Sequence, residues 1–115
     1  MAHPERVMEE PVDVLIVDDQ RPFRSVARTV VNLVGGWRVA AAERVRPGVV
    51  LMDINLPGIS GIEATRRIVA SHPETQVVLL STYSAADLPA DATTCGATTY
   101  LNKEDLCPAT LRALR

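Results

Sequence analysis

The stretch that decides the fold reads VDVLIVDD over residues 12–19, an apolar run that ends in two acids. The same design returns in VVLMD (49–53), in QVVLLST (76–82) and more weakly in TTYLNK (98–103). Near-continuous apolar runs are typical of parallel strands that are covered on both faces. We therefore predict a parallel sheet whose strands end in polar residues.

Helical patterns separate these runs. One helix begins near Pro22 and is stopped by Gly35-Gly36, and a second follows Ser60, a predicted N-cap with Glu63 three residues on. A third is predicted near residues 85–95, starting at Leu88 or Pro89 because an interior proline breaks a helix. The last spans residues 108–114. Alternating strands and helices predict an α/β fold, a doubly wound, five-stranded parallel sheet flanked by helices.

The second crossover is short. A strand predicted at Trp37–Ala40 is followed after only eight residues by the strand that starts at Val49. A parallel crossover needs about ten to twelve residues. The second strand is missing or displaced, or the crossover helix is degenerate, or residues of the natural chain are absent from this sequence. We favour the last of these accounts.

Composition bounds the function. The 115 residues suit one domain, with residues 1–11 as a flexible leader and 12–115 folded. A net charge of −2 gives no basic footprint for nucleic acid by this domain alone. No apolar run approaches the roughly 18 residues of a membrane span. The polar N-terminus lacks the apolar segment of a signal peptide, which predicts a cytoplasmic protein.

The polar strand ends predict one site. In open parallel sheets, ligands bind outside the carboxyl ends of the strands. That edge would gather three acids, a hydroxyl and a lysine, namely Asp18, Asp19, Asp53, Ser81 and Lys103. The combination predicts a site for a divalent metal and a phosphoryl group.

In this order, the motifs resemble the receiver domain of response regulators in two-component signalling. The matching text is LIVDDQ (15–20), LMDINLPG (51–58), Gly61, LLST (79–82) and YLNK (100–103). The resemblance implies a flavodoxin-like fold similar to that of chemotaxis regulators. It also implies a phosphorelay switch that catalyses only its own phosphorylation and dephosphorylation.

The resemblance implies roles for individual residues. Asp53 would accept a phosphoryl group from the phosphohistidine of a sensor histidine kinase, Ser81 would bond that group, and Lys103 would pair with one of its oxygens. Tyr100 would be the aromatic switch residue. The family often has proline after this lysine, and Glu104 stands there in this chain. This departure affects the shape of the following loop rather than the role of the lysine.

The resemblance also implies a Mg²⁺ site. Asp19 would bind the ion directly, Asp18 would act through a bound water, and Asp53 and the backbone carbonyl of Asn55 would complete the protein ligands. Mg²⁺ takes six oxygens and keeps several waters, so few protein ligands suffice. A homodimer formed on phosphorylation is a further expectation.

Other functions fit less well. The chain could be the N-terminal receiver fragment of a DNA-binding transcriptional regulator. A phosphatase of the haloacid dehalogenase type needs Asp-x-Asp, whereas this chain reads Asp53-Ile54-Asn55. A degenerate receiver used only for binding is disfavoured because every chemical position is filled.

Overall fold

Five parallel strands form the sheet in the computed structural model, which describes residues 12–40, 47–82, 84 and 87–114. Its spatial order is β2-β1-β3-β4-β5. Every pairing is parallel, which confirms the predicted architecture. The strands are β1 (Val12–Val17), β2 (Trp37–Val39), β3 (Val49–Asp53), β4 (Gln76–Ser81) and β5 (Thr99–Asn102).

Three α-helices and two 3₁₀ turns are defined among the described residues that flank the sheet. The helices are α1 (Arg21–Asn32), α2 (Gly61–Ser71) and α3 (Pro108–Arg112), and the turns span Ala90–Thr93 and Lys103–Asp105. One apolar cluster joins α1 and α3 to one face of the sheet, and a second joins α2 and the first turn to the other. The alternation of side chains along β3 and β4 supplies both clusters. Within the described part of the chain, no helix has the length and apolarity to cross a membrane.

The prediction of a regular helix near residues 85–95 is wrong. Among the described residues there, none is α-helical, and Ala90–Thr93 form a 3₁₀ turn. Pro89 precedes the turn with extended ψ, and the hydroxyl of Thr93 donates to the carbonyl of Ala90 at 3.0 Å. Gly96, with φ of +98°, follows closely. Side-chain bonds to nearby carbonyls compete with a regular helix, so the segment stays short.

The short crossover has a geometric explanation. Val14 on β1 pairs with Val39 of β2 on one side and with Val49 of β3 on the other. The last residue of β2 and the first residue of β3 therefore lie at the same level along β1, so the connection between them has no distance to cover along the strand direction. The second strand is present, and residues 41–46, on which the accounts of a degenerate helix and of absent residues depend, lie outside the described residues.

The same geometry corrects the prediction that β1 is a buried strand. Only Val14 is fully buried, and the rest of β1 is half-buried although the strand is interior to the sheet. Because β2 pairs only with residues 12–14, residues 15–17, which lead to the acids, have a described strand neighbour on the β3 side alone.

Candidate functional site

Three carboxylates meet at the carboxyl edge of the sheet, as predicted. Asp18 and Asp19 follow β1, and Asp53 is the last residue of the neighbouring strand β3. Carboxylate oxygens of all three lie within 4.8 Å of one another. Asp18 and Asp53 are buried, while Asp19 is exposed. Such a group of acids fits the oxygen-ligand preference of a hard divalent cation.

Lys103 enters the site from the turn after β5. Its Nζ lies 2.7 Å from Asp18 Oδ2 and 3.7 Å from Asp53 Oδ1, so the closer partner is Asp18 rather than Asp53. The lysine side chain is only 15% exposed. The position confirms that this lysine belongs to the acid cluster and is not a solvated surface residue.

The turn between β1 and α1 is held by its own polar groups. The backbone N–H of Gln20 donates to Asp18 Oδ1 at 2.8 Å, and the guanidinium of Arg24 donates to the carbonyl of Asp18 at 2.6 Å. The Asp18 side chain therefore has one oxygen fixed by the backbone and the other facing the lysine. Hydrogen bonds that involve a charged group are the stronger ones, so this turn is well defined.

The loop between β3 and α2 places Asp53. The N–H of Asn55 donates to Asp53 Oδ1 at 3.2 Å, and the N–H of Gly61 donates to the carbonyl of Ile54 at 2.7 Å. A Cβ on Gly61 would overlap the carbonyl of Asp53, so only glycine allows this approach. The loop ends at Ser60, whose hydroxyl accepts from the N–H of Glu63 at 3.1 Å and confirms the predicted cap.

A cleft of about 170 Å³ opens over the acids. Ser81, at the end of β4, is buried and does not line it, whereas the exposed Thr82 does. Tyr100 is also absent from the cleft and is 37% exposed on β5. Sequence reasoning missed Gln20 and Thr82, and the available signal was their place directly after predicted site residues. The lining residues are Asp19, Gln20, Asp53, Asn55, Thr82 and Lys103.

The electrostatics make Asp53 unusual. Burial raises its pKa above the ordinary value, and the charges of Asp18 and Asp19 raise it further. The N–H of Asn55 and the ammonium of Lys103 oppose this rise but do not cancel it. A carboxylate held among like charges is destabilised, and a bound cation relieves that repulsion. The donor set therefore fits a divalent cation such as Mg²⁺.

Known proteins resemble this chain in sequence and in fold. The model of the response regulator receiver domain matches residues 14–113. The transcriptional regulatory protein DegU of Brevibacillus brevis is 30% identical over 122 residues, covering 96% of this chain and 52% of DegU. The response regulator GacA of Pseudomonas protegens is 35% identical over 103 residues, covering 80% of this chain and 48% of GacA. This chain thus spans about half the length of these curated relatives.

A solved structure supports the family as well as the fold. A two-component response regulator of the LuxR family from Aurantimonas sp. SI85-9A1 has a TM-score of 0.76 and 28% identity, covering 90% of this chain and 81% of that one. The strand order, the acid cluster and the family match over residues 14–113 agree. The chain therefore belongs to the response regulator receiver domain family.

Proposed function

We propose that this receiver domain takes a phosphoryl group on Asp53 from the phosphohistidine of a sensor histidine kinase. The observation that carries the proposal is the cleft in which Asp53 lies beside two further carboxylates and the Lys103 ammonium. A carboxylate oxygen of Asp53 would form the new bond to phosphorus. The bond from phosphorus to the imidazole nitrogen would break, and its electron pair would stay on the imidazole.

The residues that would hold Mg²⁺ are those of the acid cluster. Asp19, exposed at the mouth of the cleft, would bind directly, and the buried Asp18 would act through a water. Asp53 and the carbonyl of Asn55 would supply the remaining protein oxygens. When bound, the ion supplies positive charge that offsets the negative oxygens of the phosphoryl group.

Lys103 and Ser81 would act on the phosphoryl group after transfer. Lys103 would contribute a point charge to one phosphoryl oxygen, for which its distance of 3.7 Å from Asp53 is suitable. The buried Ser81 would have to turn toward the cleft to donate its hydroxyl. Tyr100, now 37% exposed, would then move inward as the switch residue. The same site would release the phosphate by hydrolysis.

The partners and setting follow from the family. We propose residues 12–115 as a cytoplasmic receiver domain, with a sensor histidine kinase as donor and a homodimer as a product of phosphorylation. Because DegU is a transcriptional regulatory protein and the match covers 52% of it, the alternative is that this chain is the receiver portion of a DNA-binding regulator. In that case a second domain would bind DNA, and the chemistry at Asp53 would be the same.

Acetyl phosphate, which needs no kinase, tests the proposal. The protein is incubated with acetyl phosphate and Mg²⁺, and intact mass and peptide mapping by mass spectrometry report the modification. We expect one phosphoryl group on Asp53, none in Asp53→Ala, and normal labelling in Asp91→Ala, an exposed acid far along the chain. Asp19→Asn should lower the affinity for Mg²⁺ and so raise the Mg²⁺ concentration needed for half-maximal labelling. Full labelling of Asp53→Ala would refute the assignment.

A further inference from the structure

The Lys103 ammonium has a third neighbour that is not an acid. Its Nζ lies 4.5 Å from the centroid of the Phe23 ring, in addition to its contacts with Asp18 and Asp53. A cation within about 6 Å of an aromatic face is attracted by the negative charge of that face. The ammonium is therefore enclosed by two carboxylates and one ring.

The ring matters because lysine is flexible. The side chain has four rotatable bonds and loses much conformational freedom when it is held in one place. With only 15% of the Lys103 side chain exposed, water solvates the ammonium poorly. The Phe23 face takes the place of part of that water.

Phe23 is itself firmly placed. It is the third residue of α1, directly after Pro22, and it packs against the apolar cluster that α1 and α3 share. The next residue, Arg24, bonds the carbonyl of Asp18. The ring and the acid that flank the ammonium are thus tied to the same turn of chain.

We propose that Phe23 is a positioning residue that holds Lys103 ready for the phosphoryl group. The inference rests on the proposed function of this site. During the reaction the carboxylates change partners, since Asp18 would serve the metal and Asp53 would become an acyl phosphate. The ring is the one neighbour among these three that the chemistry leaves unaltered, so it keeps the ammonium at the cleft throughout.

The contact can be measured without phosphorylation. An aromatic face shifts the NMR resonances of protons above it upfield, so the Lys103 ε-methylene protons should be upfield in the wild type and in Phe23→Tyr. They should move to ordinary positions in Phe23→Leu, which keeps an apolar side chain. Acetylation of Lys103 by an amine-reactive acetylating reagent, followed by mass spectrometry, should be about five times faster in Phe23→Leu. Unchanged shifts and unchanged reactivity would overturn the proposal.

A double-mutant cycle tests whether Phe23 acts through Lys103. We expect Phe23→Leu to slow labelling by acetyl phosphate about fivefold in the wild-type background and to have no further effect in Lys103→Met. Phe23→Tyr should restore most of the rate. Val26→Ala, an exposed truncation on the same helix, is the control. An equal loss in both backgrounds would refute the positioning role, whereas a wild type that is never labelled on Asp53 would refute the proposed function instead.

Discussion

Replacing Asp53 by asparagine should stabilise this protein at pH 7. The wild-type carboxylate is buried beside Asp18 and Asp19, and Lys103 is the nearby cation in the described part of the chain. Asparagine has the same shape and keeps an oxygen that accepts from the N–H of Asn55. The substitution therefore removes charge from the site with little change in packing.

The magnitude follows from the distances. At an effective dielectric constant of about 20, two carboxylates at 4.8 Å, the upper limit of separation in this cluster, repel by about 3.5 kcal/mol, and an ammonium at 3.7 Å attracts by about 4.5 kcal/mol. The attraction of Lys103 offsets the repulsion from Asp18 fully and the repulsion from Asp19 in part. The repulsion from Asp19 is itself weakened because Asp19 faces solvent. Burial of Asp53 adds a penalty in the same direction as the repulsion. We expect a gain of about 1–2 kcal/mol in the free energy of unfolding.

The pH dependence has a definite sign. The pKa of Asp53 is raised in the folded protein. At a pH between the unfolded and the folded pKa, the folded state therefore holds a proton that the unfolded state has released. Stability is then lost as pH rises from the unfolded pKa through the folded pKa. The advantage of Asp53→Asn should be full above that window. It should vanish below the unfolded pKa, where both states of the wild type are protonated.

Urea denaturation followed by circular dichroism measures the difference. The comparison is made at pH 7 in EDTA, again at low pH, and again with 10 mM Mg²⁺. A site with a dissociation constant near 1 mM would stabilise the wild type by about 1.4 kcal/mol at that concentration and so narrow the gap. Asp91→Asn serves as the exposed control. An Asp53→Asn protein that is no more stable than wild type in EDTA at pH 7 would refute the reasoning.

Two further substitutions probe the loop that carries Asp53. Gly61→Ala should destabilise by about 3 kcal/mol in urea and slow labelling by acetyl phosphate, because the new Cβ overlaps the Asp53 carbonyl; Gly35→Ala, where a Cβ meets nothing within 4 Å, should change little. Equal stabilities of the two alanine variants would contradict this. Ser60→Ala should lower the free energy of unfolding by about 1 kcal/mol through loss of the α2 cap, while Ser60→Asp should retain the cap. A wild-type melting curve for Ser60→Ala would show that the cap contributes nothing.

The predicted strands and acids were correct because they depend on short-range patterns. Apolar runs fix where strands lie, and parallel pairing brings every carboxyl end to one edge. The acid cluster of Asp18, Asp19 and Asp53 therefore follows once the strands are identified. The N-cap at Ser60 was also readable, since it depends on two residues three positions apart.

Two of the predictions from sequence were wrong, each for its own physical reason. The predicted third helix became a 3₁₀ turn because hydroxyls of Thr93 and Thr94 bond nearby carbonyls and Pro89 stands before them. Residues 15–17 of β1 are half-buried and have no partner in the described strand β2, whose extent is set by pairing rather than by the residues of β1.

The sequence by itself determined the fold class and the gathering of three acids with one lysine. Only the tertiary structure decided that Lys103 lies closer to Asp18 than to Asp53, and that Phe23, 80 positions before it in the chain, faces its ammonium. It also decided that Thr82 rather than Ser81 lines the cleft. Patterns along a chain report which face or edge a residue occupies, whereas distances of a few ångströms between side chains depend on how whole elements pack.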